Sequence, residues 1–115
     1  MSTSPIDLAT FRELEATAGA DFVQDLAATF LAEAPRMLGE LRAALDAGDA
    51  ERFRRTAHSL KSNGNTFGAA SLGAIAKSLE LGGLPSARAD AGAALAALDA
   101  EYARVAAALK ELGRA

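Results

Sequence analysis

The chain has 115 residues, with 12 Lys and Arg against 15 Asp and Glu, a formal net charge of −3 and no cysteine. That length fits one compact domain burying roughly two thirds of the surface its unfolded form exposes, so residues 1–115 are expected to fold as one unit. With 50% apolar and 23% charged residues the composition excludes a disordered chain; the acidic balance argues against nucleic acid as a partner, and the missing cysteines exclude a disulfide framework, a thiolate zinc site and a cysteine nucleophile.

Ala, Leu, Glu and Arg dominate, β-branched residues are few, and no segment sustains a period of two. Ser4-Pro5 is expected to open a short first helix, with Ser4 as its cap and Pro5 at the first helical position. Ile6, Phe11 and Leu14 supply its apolar side, and Gly19 ends it. Asp21 caps a second helix running to about Asp46, with the stripe Phe22, Leu26, Phe30, Met37, Leu41 and Leu45. Pro35 lies inside it, and the stripe resumes in phase afterwards, so a kink is expected there and not a break. Gly48-Asp49 reads as a stop followed at once by a new cap, opening a third helix from about Ala50 to Thr66.

Gly68 marks the next turn, and a fourth helix carries Leu72, Ile75 and Leu79. The stretch Gly82-Gly83-Leu84-Pro85-Ser86 is the strongest break in the chain. Beyond it an Ala-rich helix presents Leu95, Leu98, Tyr102, Val105, Leu109 and Leu112, whose alternating spacings of three and four keep one seam toward a partner helix, with Glu101, Arg104 and Lys110 expected on its exposed sides. Four amphipathic helices and a short leading one, joined by short loops, predict an all-α antiparallel four-helix bundle with the leading helix as a lid.

The N-terminus lacks a basic segment and an apolar core of the secretory kind, and no apolar run approaches the ~18 residues of a membrane span. A cytoplasmic protein without a membrane partner is expected, and Met1 favours an independent protein. No Gly-rich phosphate loop follows a strand-like segment, which leaves no nucleotide-dependent catalytic domain.

The informative segment is Asp49 to Gly68. Phe53, Ala57, Leu60, Gly64 and Phe67 form the buried stripe, and Arg54, His58, Lys61 and Asn65 repeat its rhythm one position later, about 100° around the helix. His58, the one histidine of the chain, is thereby placed beside the core seam with Lys61 one turn on. A lone histidine at such a boundary is by default a residue without a task. Here the lysine disfavours imidazolium, no carboxylate stands at positions 54, 55, 61 or 62, and small residues crowd the following turns. Those features suit a phosphoryl acceptor: neutral imidazole attacks phosphorus and gives a labile phosphoramidate. Lys61 would balance phosphoryl charge, and Arg54 and Arg55 add a positive field. One histidine without a second ligand at i+3 or i+4 makes no metal site, and no acid is placed to orient the ring for a triad.

The run Ala57-His58-Ser59-Leu60-Lys61-Ser62, continuing through Phe67-Gly68-Ala69, Leu72 and Leu79-Glu80, resembles the histidine-containing phosphotransfer (HPt) domain family, and Phe30, Pro35, Leu38 and the segment from Ala44 to Asp49 match upstream. The resemblance implies a four-helix bundle whose exposed histidine takes a phosphoryl group from a receiver-domain aspartate of a response regulator and gives it to another. On it, His58 is the phosphorylation site and Lys61 the neighbouring cation. The family's usual Gly after the lysine is Ser62 here, which could donate a hydrogen bond to the phosphoryl group.

Further expectations follow from the resemblance. The chain is a phosphocarrier and no enzyme by itself; it has no cofactor of its own, and the partner receiver supplies Mg²⁺. Partners are receiver domains and a sensor or hybrid histidine kinase, and the chain acts as a monomer. Arg54, Arg55, Ser62 and Asn65 belong to the docking surface, where Gly64 and Gly68 let the partner's loops come close. Two alternatives stay open: a helical interaction module with an idle histidine, and a phosphoacceptor domain cut from a larger sensor kinase. The dimerisation segment of such a kinase would want an acid directly after the histidine, where this chain has Ser59.

Overall fold

The computed structural model describes residues 5–89 and 92–114. It contains α1 (Leu8–Ala18), α2 (Ala20–Ala47), α3 (Ala50–Thr66), α4 (Ala70–Ala89) and α5 (Ala93–Arg114), and no strand among the described residues. Short turns force consecutive long helices to run antiparallel, and cross-helix pairs confirm the sense. Leu31 of α2 meets Tyr102 of α5 while Arg42 meets Asp99, and His58 of α3 meets Glu80 of α4. The expected all-α bundle is what forms.

Cap chemistry fixes the boundaries of α3. Gly48 takes the left-handed conformation at φ 72° and donates its N–H to carbonyls at the end of α2, and the Asp49 carboxylate accepts the Arg52 N–H at 3.1 Å. α1 begins later than expected: Ser4 lies outside the described residues, and Asp7, not Ser4, precedes the first helical residue. Ile6 is buried ahead of the helix, and the Asp7 N–H donates to the Gly68 carbonyl at 2.8 Å, seating α1 on the turn between α3 and α4.

Three further expectations about the helices need correction. On α2, Val23 is buried and Phe22 is 56% exposed. Val23 precedes Phe30 by seven residues, about 20° off its direction, whereas Phe22 precedes it by eight, about 80° off. Asp21, expected as the cap, sits within the first turn behind Gly19, where its charge complements the helix dipole. Finally, Glu101, expected on an exposed side, is only 7% exposed and accepts a hydrogen bond from the Arg104 guanidinium at 2.9 Å.

α2 runs through Pro35 as one helix. The break expected at Gly82-Gly83-Leu84-Pro85-Ser86 falls at Gly83, whose φ of 69° and ψ of −168° interrupt the helical backbone of α4 in a kink before it resumes around Pro85. The core gathers Leu41 of α2, Phe53, Leu60 and the following Phe67 of α3, Leu72 of α4, and Leu98 and Val105 of α5. Phe30 links its parts, with ring centroids 5.5 Å from Phe67 and 5.9 Å from Tyr102. No helix among the described residues is long and apolar enough to cross a membrane.

Candidate functional site

Burying Phe53, Ala57, Leu60 and Gly64 leaves α3 no choice about its wet side. His58 emerges there with its side chain 54% exposed. The helix that faces it sets its chemistry. Asn65 lies over Gly73, whose missing side chain makes room for the Asn65 carboxamide. His58 stands seven residues before Asn65 and Glu80 seven after Gly73, so two turns from that contact the antiparallel register brings imidazole and carboxylate together.

Glu80 Oε2 is 2.8 Å from His58 Nδ1, and Glu80 Oε1 is 2.8 Å from Lys61 Nζ. The two cation-capable groups lower the Glu80 pKa below its ordinary value of 4.5, the Lys61 hydrogen bond contributing most and the His58 hydrogen bond next. At neutral pH Glu80 is therefore an acceptor only, and the imidazole must carry its proton on Nδ1 to donate to it. In the neutral ring Nε2 then keeps its lone pair, on a half-exposed side chain. Because the folded carboxyl titrates below its unfolded range, this pairing stabilises the fold above about pH 4.5, and the contribution disappears as pH falls through the lowered value.

An acid that orients the ring is thus present, contrary to expectation. It lies 22 residues further on, on α4. Residues equally distant from a helical hairpin's turn face one another, and His58 and Glu80 lie ten and twelve residues either side of Gly68; that symmetry was the available signal.

The other candidates divide. Arg54 is exposed and paired with Glu51 at 2.9 Å. Arg55 and Ser62 are exposed beside His58, and Asn65 is exposed with its carboxamide over Gly73. Gly64 and Gly68 do not open a docking surface. Both are buried: a Cβ on Gly64 would stand 3.3 Å from Leu72 Cδ2, and one on Gly68 would stand 2.9 Å from the Asp7 carbonyl, at a φ of 82°. They serve close helix and turn packing inside the molecule.

Residues 16–108 match the family model of the Hpt domain. This chain belongs to the Hpt domain family. Its fold is also similar to the crystal structure of histidine-containing phosphotransfer protein B (HptB) from Pseudomonas aeruginosa PAO1, with a TM-score of 0.88 and 30% sequence identity over 98% of this chain and 97% of that one. Comparison with curated proteins gave no match. Hpt domains are phosphocarriers, and the role of this Hpt chain is histidine phosphotransfer within a phosphorelay.

Proposed function

We propose that His58 is the residue that carries the phosphoryl group, accepting it at Nε2 from a receiver-domain aspartyl phosphate and returning it to the aspartate of another receiver. The observation that carries this reading is the Glu80 contact at Nδ1, which leaves the chain's one imidazole held at one nitrogen and half exposed. In the step, the Nε2 lone pair attacks phosphorus as the bond to the aspartyl oxygen breaks. The electron pair leaves with the carboxylate, and the ring's positive charge is shared through Nδ1–H with Glu80. Lys61 spends one of its three donors on Glu80 and has two left for phosphoryl oxygens.

In this reading Mg²⁺ is supplied by the receiver domain. Arg54, Arg55, Ser62 and Asn65 would border the docked partner. In this reading the protein works as a cytoplasmic monomer between a sensor or hybrid kinase and its regulators. The test is incubation with each phosphorylated receiver domain of the same cell, followed by detection of an acid-labile phosphoramidate on this chain. A chain that stays unlabelled with every donor would overturn the reading.

Two variants check the roles around the ring. Glu80→Gln replaces an acceptor by a carboxamide that can either accept or donate, so Nδ1 protonation is no longer selected. Transfer should slow on the order of tenfold, and imidazole ¹⁵N shifts should move toward a mixture of tautomers; unchanged shifts would remove Glu80 from ring positioning. Lys61→Ala should slow transfer with the bundle intact. Its stability deficit at neutral pH should narrow as pH falls from 4.5 through the lowered Glu80 value, below which Glu80 is neutral in both proteins; urea melts across that range measure it.

A further inference from the structure

The two flanks of His58 differ. On the α4 side the space is taken by Glu80 with Lys61 bound to it. On the α2 side a groove of about 340 Å³ runs between α2 and α3, lined by Arg36 from α2 and by Arg52, Arg55, Thr56 and Ser59 from α3, with Glu40 among them. Glu40 is already engaged, by Arg36 at 2.5 Å and by the Thr56 hydroxyl at 3.5 Å, and Arg36 is held on its other side by Glu33 at 3.3 Å. Arg52 and Arg55 enter no ion pair among the described residues. The groove therefore carries net positive charge in a chain whose total is −3.

We propose that this groove seats an acidic element of the partner protein that exchanges the phosphoryl group with His58. The inference rests on His58 being the acceptor. Arg55 lies one turn before His58 and Ser59 directly after it, so a body covering the imidazole also overhangs the groove. The unpaired guanidiniums offer planar forks that match carboxylates. Arg36, clamped from both sides, gives the groove a fixed wall. Such a seat acts on encounter and orientation more than on the chemical step.

The experiment compares Arg52→Glu with Arg12→Glu, which makes the same charge change on α1. A glutamate at position 52 stands third in α3, where it complements the Asp49 cap, so folding is retained. The donor is the phosphorylated receiver domain of the same cell that labels the native protein fastest, with phosphoramidate as a small donor that needs no docking.

In Arg52→Glu the second-order transfer rate should fall about tenfold at low ionic strength. The deficit should shrink at high salt, with phosphoramidate labelling unchanged and Arg12→Glu close to native. Equal receiver rates in the two variants would overturn the proposal, as would an equal loss with phosphoramidate. Unchanged receiver transfer combined with lost binding of inorganic phosphate or a DNA duplex would assign the groove to another anion and overturn it too. A native protein that no donor labels would instead overturn the assignment of His58.

Discussion

His58→Gln should abolish phosphoryl acceptance outright and leave the bundle folded. The glutamine carboxamide has no nitrogen lone pair available to attack phosphorus, whereas it can still hydrogen-bond Glu80 from a comparable reach. Little burial is at stake, since the native side chain is 54% exposed, so stability should change by no more than about 0.5–1 kcal/mol. The check is label transferred from a phosphorylated receiver, read beside far-ultraviolet circular dichroism and a thermal melt. The absence of any other histidine in the chain makes the outcome binary. A variant that still forms an acid-labile phosphoramidate would falsify the assignment.

Two positions along the same helix the opposite outcome is expected. Leu60 is fully buried on α3 in the same stripe as Phe53, Gly64 and Phe67. Leu60→Ala removes three buried carbons and leaves a cavity that a close-packed bundle closes only in part, at a cost of about 2–5 kcal/mol. Against a usual total of about 5–15 kcal/mol this is a large share, and the melting temperature should drop by roughly 8 °C or more. Urea denaturation with the slope unchanged would attribute the loss to the native state. Any residual protein should accept phosphate at Nε2 while folded. A Leu60→Ala protein as stable as the native one would mean that the helical phase of α3, and with it the placement of His58, is wrong.

The sequence was most legible where chemistry is local. Gly48-Asp49 specifies the turn into α3 because a left-handed glycine and a capping carboxylate act within a few residues. The stripe from Phe53 to Phe67 was equally plain, and it decided which side His58 would take. Phase was misread where bulk and register conflict: Phe22 is the larger side chain, but Val23 has the direction of Phe30. Glu101 was misjudged by residue type, since it stands three after Leu98 and four before Val105 and so falls within the α5 stripe. Glycines were legible as special but not for what purpose; Gly64 and Gly68 turned out to pack against Leu72 and Asp7. The Glu80 contact was the largest omission. It depends on how α4 returns along α3, which no periodicity within α3 encodes.

The imidazole and its carboxylate ride on different helices, and Glu80 is bracketed in sequence by Leu79 and Leu81. Leu79 and Leu81 point about 100° to either side of Glu80, so turning α4 about its axis by one residue's angle would trade an anion for a hydrocarbon beside the ring. Competence of this phosphocarrier would thereby depend on how α4 is turned against α3, as a key depends on the angle at which it enters its lock.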